Sequence, residues 1–250
     1  MSQLGSVRKH YTRIDSTNLE AKRLIETGAE EGLLVTADYQ TEGRGRQNRS
    51  WYAQHSENVL ASYVLFPPRG REDWGGLPLL AGLAVQYTLL GVADLQTVLK
   101  WPNDVLAYGK KISGVLVESG TSRSGTWAVV GIGVNVNQLQ FAGEFKIEPT
   151  SVYLEVRQRT DIDLLISRLS QELSTLYTLW CDEGNEAIIA KWKESPSILG
   201  TEIVVHQDDG KIHGTAKDIG ADGSLIVETR QGETAPVYAG DVTIEFPTKD

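Results

Sequence analysis

A chain of 250 residues with formal net charge −9 and 40% hydrophobic residues suits one large domain, or one domain with a small appendage. A sequence pI near 5.0 argues against nucleic acid as the main partner, which needs a broad basic face. One cysteine, Cys181, excludes an internal disulfide and a multi-cysteine metal site, and the four histidines lack zinc-site spacing.

No run of about 18 apolar residues suggests a membrane span. Met1 to Tyr11 has no apolar core for a signal peptide, so the expected location is the cytoplasm. About a dozen positions precede Asp15, too few for the two helices and turn of a helix-turn-helix, and no DNA-binding domain is expected at the front.

Asp15-Ser16-Thr17-Asn18-Leu19-Glu20 opens a helix, with Thr17 and Glu20 at capping-box spacing. Leu19, Leu24 and Ile25 supply a modest apolar face and Gly28 the expected C-cap. Hydroxyls and an amide at a helix start ordinarily only cap it. Beside free backbone N–H groups they also make a polar recognition site. Residues 32–39 read as a buried strand that delivers the loop from Gln40 to Trp51.

That loop places Arg44, Arg46 and Arg49 within six positions of an acidic chain, with Gly43 and Gly45 among them. Glycine lets a backbone approach a ligand closely, and guanidinium groups match phosphate and carboxylate oxygens in a two-pronged way. The loop reads either as a solvated turn or as a clamp for a small anionic ligand.

Residues 58–66 form a second strand, stopped by Pro67-Pro68, and Leu77 to Leu90, apolar almost all round, is a buried core helix. In Trp101-Pro102-Asn103-Asp104 the strand must turn, because proline removes a ladder donor and Asn-Asp favours turns. Lys100 and Asp104 flank that turn. Lys110 to Glu118 is a strand, Ser119 to Thr126 a hairpin, and Trp127 to Asn137 the return strand. Gly131 and Gly133 within it suggest that something packs or binds close to its backbone.

Residues 138–150 are loop-like, Asp161 to Trp180 is the best amphipathic helix, and Asn185 to Lys193 is a shorter one. Cys181 reads as an inert buried thiol. From Thr201 short strands alternate with Asp-Gly and Gln-Gly turns, the texture of a small barrel. The expected fold is α+β, a mixed or antiparallel sheet flanked by helices over residues 1–197, then a small β-barrel over 198–250.

Three nucleotide and hydrolase signatures fail. Asn48 stands where a dinucleotide fingerprint needs its third glycine, and neither a P-loop nor a GxSxG elbow occurs. Five motifs do occur together: Ser16-Thr17-Asn18, Gln40 with Gly43-Arg44-Gly45-Arg46 and Trp51, residues 100–104, Lys111 with Gly114, and Gly131 to Asn135. In order and spacing they resemble the biotin protein ligases, in the bacterial monofunctional form, and the likeness covers about 15–140 closely. Each motif alone is weak, and five in order are specific. The terminal barrel is similar to the SH3-like C-terminal domain of that family. One departure is Asn48, where the family loop usually carries glycine.

The resemblance implies two steps: the biotin carboxylate attacks the α-phosphate of ATP, giving biotinyl-5′-AMP, and a carrier lysine then attacks that anhydride. It implies ATP, Mg²⁺ and biotin as ligands, and Lys111, Arg46 and Asp104 as catalytic. Around biotin it places Ser16, Thr17, Asn18, Gln40, Gly43, Arg44, Gly45, Arg46, Lys111 and Gly114. Around ATP it places Arg44, Arg46, Arg49, Trp51, Lys100, Asn103, Lys111 and Asn135, with Trp51 closing over adenine. Asp104 is one candidate Mg²⁺ ligand. The partner implied is the biotin carboxyl carrier protein of acetyl-CoA carboxylase, and homodimers are frequent in the family. A lipoate or octanoate protein ligase is the nearest alternative, although its usual Arg-Arg-x-x-Gly-Gly-Gly stretch is absent. A non-enzymatic biotin sensor is the other, and it needs an output domain.

Overall fold

The computed structural model describes residues 3–207 and 210–244, apart from the side chain of Asn48. Strands β1 (Arg8–Tyr11), β2 (Leu34–Ala37), β3 (Asn58–Leu65), β4 (Val98–Lys100), β5 (Asp104–Ala107), β6 (Lys110–Ser122) and β7 (Gly125–Asn135) form one sheet. Its order is β1-β2-β3-β7-β6-β5-β4, with β1 and β2 parallel and every other neighbouring pair antiparallel. Five helices accompany it: α1 (Thr17–Glu26), α2 (Gly76–Ala93), α3 (Val152–Val156), α4 (Ile162–Glu183) and α5 (Asn185–Glu194).

Side-chain alternation gives the sheet two unlike faces. On β7, Ala128, Val130, Ile132 and Val134 join the main core under α2, α4 and α5. On the opposite face Val129 joins a smaller cluster with Ala21, Ile25, Val35 and Val64 beneath α1. Further along, that same face carries Gly131, under the first turn of α1, and then Gly133 and Asn135, which α1 does not cover. The sheet is thus roofed by a helix at one end and open at the other.

Helix α2 is long and apolar enough, by length and composition, to cross a bilayer, but 67% of it is buried inside the protein. Leu77, Leu80, Leu83 and Ala84 are wholly enclosed between the sheet and the other helices, which is the place of a core helix.

Strands β8 (Glu202–Gln207), β9 (Gly210–Ile219), β10 (Leu225–Thr229), β11 (Thr234–Val237) and β12 (Asp241–Ile244) form a second, antiparallel sheet ordered β11-β10-β9-β8-β12. Ile203, Val205, Leu225, Val227 and Val242 extend the main core into it. Trp101, almost fully buried, donates its Nε1–H to the Gly223 carbonyl at 2.9 Å, and Asn185 donates to Ala221 at 2.9 Å. These bonds fix the second sheet beside the turn at 101–103.

Some local expectations change. No capping box forms: Ser16 is the N-cap, without a side-chain cap bond, while Glu20 accepts from Tyr11 and Arg23. Gly28 follows the C-cap residue, Thr27, and takes the left-handed φ of +92°. The hairpin after β6 is tighter than expected, since pairing continues to Ser122 opposite Gly125. Strand β1 and helix α3 are additions: RKHY has no apolar alternation, and five residues are too few to display a helical period.

Candidate functional site

The open end of the sheet is the floor of a cavity of about 930 Å³. At one end, beneath the start of α1, lies a cluster of neutral polar side chains. Ser16, Thr17 and Asn18 are all buried, which requires partners. Thr17 donates its backbone N–H to Gln40 Oε1 at 2.7 Å. Ser62 Oγ lies 2.7 Å from Thr17 Oγ1 and 2.6 Å from Asn18 Oδ1. An amide oxygen only accepts, so Ser62 donates to Asn18 and the Thr17 hydroxyl is left to donate to Ser62 or to Gln40 Oε1. Asn18 Nδ2 donates to Glu118 Oε2 at 2.8 Å, and Glu118 is paired with Lys22 at 2.6 Å. Burial pushes the Glu118 carboxyl up, but the bonds from Lys22 and Asn18 outweigh it and hold the pKa below the usual range.

The floor is made of glycine because nothing larger fits. A Cβ on Gly131 would stand 2.2 Å from Asn18 Oδ1. One on Gly133 would stand 2.5 Å from the Trp51 indole, and one on Gly114 3.0 Å from it. Trp51 therefore packs directly on the mid-cavity floor, with its Nε1 buried and unbonded among the described residues.

Beyond Trp51 the cavity turns cationic. Asp104 and Lys100 face each other across the 101–103 turn, at the end of the β4–β5 pair. Lys111 Nζ is 2.6 Å from Asp104 Oδ1, and Lys100 Nζ is 3.4 Å from Oδ2. Burial pushes the Asp104 carboxyl up, but the two ammonium groups prevail and hold it ionised, below the usual carboxylate range. Lys100 is 5% exposed, and its burial pushes its pKa down against the pull of Asp104.

Lys111 reaches this point through a β-bulge. Val105 pairs with Ser113 and Leu106 with Lys111, so Ile112 is the extra residue. Residues three apart on a regular strand face opposite ways. Here the bulge puts Lys111 on the cavity face with Gly114 while Ile112 and Val115 both enter the core. Lys111 also bonds, through its backbone, with Glu148 and Thr150.

The arginine loop lies across this end. Arg46 Nη1 donates to Asn103 Oδ1 at 3.1 Å, while Asn103 is itself fixed by mutual bonds with Val115. Arg44 and Arg49 are exposed at the rim. Six lysines and arginines line the cavity (Arg44, Arg46, Arg49, Lys100, Lys111 and Lys146) against three carboxylates, Asp104, Glu144 and Asp241. In a chain of net charge −9 this is a local excess of positive charge made for an anion.

Of the residues singled out from sequence, Ser16, Thr17, Asn18, Gln40, Arg44, Gly45, Arg46, Arg49, Trp51, Lys100, Asn103, Asp104, Lys111, Gly114 and Asn135 line this one cavity. Gly43 does not: it is buried behind the loop, where a Cβ would come 2.5 Å from the Trp51 carbonyl oxygen. Gly45 takes neither a positive φ nor a close contact, and the left-handed residue in the loop is Gln47, with φ +54°. The side chain of Asn48 lies outside the described residues. Asn135 donates its amide to the Thr150 carbonyl at 2.9 Å.

Among the described residues no group of three His, Cys, Asp or Glu side chains gathers for a metal. Both oxygens of Asp104 already face ammonium groups, so it does not fit the part of a Mg²⁺ ligand in this arrangement. Ser62, Glu118, Lys22 and Asp241 are the functional candidates that sequence reading missed. Cys181 sits apart from the site, and burial pushes its thiol pKa up.

A helix-backed mixed sheet, an open cavity that grades from neutral polar to cationic, and a small β sheet at its rim define a protein built for an elongated ligand with an anionic end. The chain belongs to the biotin/lipoate A/B protein ligase family, which matches residues 11–135, and the biotin protein ligase C terminal domain matches residues 198–244. It is 34% identical over 233 residues to the biotin–[acetyl-CoA-carboxylase] ligase of Mycobacterium tuberculosis, covering 91% of this chain and 85% of that protein. It is 33% identical over 244 residues to the bifunctional ligase/repressor BirA of Bacillus subtilis, covering 96% and 75%. The solved biotin protein ligase from Aquifex aeolicus in complex with biotin and ATP superposes with a TM-score of 0.83 at 29% identity, covering 96% of this chain and 99% of that one.

Proposed function

We propose that this chain is an ATP-dependent biotin protein ligase: it joins biotin to AMP, releases pyrophosphate, and transfers biotin to a lysine of a biotin carboxyl carrier protein. The observation that carries the reading is the continuity of one cavity from the Thr17–Asn18–Ser62 cluster, over a glycine floor, to Lys111 and Arg46. The ureido head of biotin is neutral and rich in donors and acceptors, which suits the polar end. The Trp51 indole, packed on Gly133 and Gly114, gives its apolar tail an apolar wall to run along, and its carboxylate arrives beside Lys111.

Adenylation brings two anions together, so the cations must be in place before the reaction. Lys111, Lys100 and Arg46 meet that need, and Asp104 holds the two lysines apart and aimed. Mg²⁺ bound with ATP would further neutralise the pyrophosphate charge. Asp104, paired with Lys111 and Lys100, is the candidate for orienting the acceptor lysine's amine or receiving its proton. Trp51 and the arginine loop exclude water from the labile anhydride.

The test is incubation with labelled biotin, ATP and a carrier domain, with lipoate as competitor. Biotin-dependent labelling of the carrier that lipoate does not suppress is expected. Labelling by lipoate instead, or binding of biotin with no transfer, overturns the reading.

The floor supplies a separate prediction. Gly131→Ala forces Asn18 from its position and breaks its bonds to Ser62 and Glu118. Loss of one such buried partner costs about 1–3 kcal/mol, so biotin affinity by calorimetry is expected to fall about 10-fold or more. An unchanged affinity would remove Asn18 from the head-group site.

A further inference from the structure

Two segments outside the sheet cover the cavity, 43–52 with the arginine loop and 141–147 with Phe141, Phe145 and Lys146. They come from different parts of the chain and converge on one carboxylate of the second sheet. Asp241 opens β12, paired with His206 of β8. Its Oδ1 accepts from Arg49 Nη1 at 3.0 Å, and its Oδ2 accepts from Arg49 Nη2 and, at 2.8 Å, from Lys146 Nζ. Asp241 is 23% exposed, while Lys146 is 71% exposed, so the fixed member of the group is the carboxylate.

We infer that Asp241 is a positioning residue that anchors both cover segments over the cavity, so that the C-terminal sheet controls how long the activated intermediate stays enclosed. The inference rests on the proposed reaction for its last clause and on geometry alone for the anchoring. A two-pronged arginine–carboxylate bond fixes direction as well as distance. Gln47 Oε1, at 2.5 Å from Arg49 Nη2, braces the same guanidinium from within the loop. Burial pushes the Asp241 carboxyl up, but the bonds and charges of Arg49 and Lys146 outweigh it and hold the pKa well below the usual range, so the anchor remains ionised in neutral solution. A carboxylate on a separate sheet ties the retention of the intermediate to the seating of that sheet.

Limited digestion of the ligand-free full chain with chymotrypsin reads the anchoring directly, because Tyr52 and Phe145 are half-exposed cleavage points in the two segments. Such cleavage follows the population of the open form. Asp241→Asn is expected to speed cleavage at both sites roughly 3- to 10-fold, the scale of two partly exposed ion pairs. Asp241→Glu should restore much of the protection, and Lys146→Ala should speed cleavage at Phe145 only. Equal cleavage rates in the parent and Asp241→Asn overturn the anchor. In the second measurement, preformed biotinyl-AMP should leave Asp241→Asn faster than the parent by a similar factor. Tighter ATP binding with unchanged retention would mean that Asp241 merely stands in for phosphate, which also overturns it. A parent chain that makes no biotinyl-AMP defeats the reaction reading, while the cleavage rates still decide the anchor.

Discussion

Lys111→Ala is expected to slow biotin-dependent exchange between ATP and pyrophosphate by about 10³-fold, the scale for deleting a preorganised group that faces developing charge. Lys111 is 2.6 Å from Asp104 and lies on the same face as Gly114, where the proposed reaction needs a cation beside the biotin carboxylate and the α-phosphate. Lys100 cannot replace it, being 5% exposed and engaged with the other oxygen of Asp104. The variant also loses the principal charge that keeps Asp104 ionised.

The pH dependence has a defined sign. Asp104 has a folded pKa below its unfolded value, so its pairing stabilises the fold above the unfolded pKa. That contribution fades as pH falls through the folded pKa. Without Lys111 the fading begins at higher pH, and acid unfolding followed by tryptophan fluorescence should move upward in pH. Lys111→Met, close in length, separates charge from packing. Near-parental exchange in either variant would take Lys111 out of the first step.

The floor was legible because glycine in an apolar strand has few explanations, and both Gly131 and Gly133 lie under a side chain that would otherwise collide. The turn at 101–104 was legible because proline and Asn-Asp cannot continue a ladder. The association of Lys111 with Gly114 was available only from motif likeness, since regular alternation puts residues three apart on opposite faces and the Ile112 bulge has no signal of its own. Ser62 was hidden inside a run read simply as buried strand. The usable clue was a lone hydroxyl, two positions from Val64, on the face that α1 covers. Glu118 with Lys22 and Asp241 with Arg49 are separated by 96 and 192 positions, so no local pattern links them. Charge segregation is a property of the folded surface: the totals gave −9, while the cavity gathers six cations.

Arg46→Ala should leave biotin affinity within about threefold of the parent while biotinyl-AMP escapes on the order of 10²-fold faster, the upper range for a lost bond to a charged group. The head-group cluster is built from Thr17, Asn18, Gln40 and Ser62, none of which bonds Arg46, so initial binding has no reason to change much. Retention differs for two reasons. Arg46 is the loop residue tied directly to the 101–103 turn through Asn103, and burial pushes its pKa down, an effect that the carboxylates of Asp241 and Asp104 only partly oppose. It also stands in the wall between the main cavity and a neighbouring one of about 220 Å³ beside Trp101, Gly223 and Tyr238. Truncation therefore removes a cation from the phosphate end and opens a second way in for water. Arg46→Lys keeps the charge but loses the planar two-pronged donor, so it should retain the intermediate to an intermediate degree. Rapid dilution of enzyme loaded with labelled biotinyl-AMP measures the escape, and the carrier-free hydrolysis rate measures the breach. Parental retention by Arg46→Ala would show that the loop covers the site without gripping what lies in it.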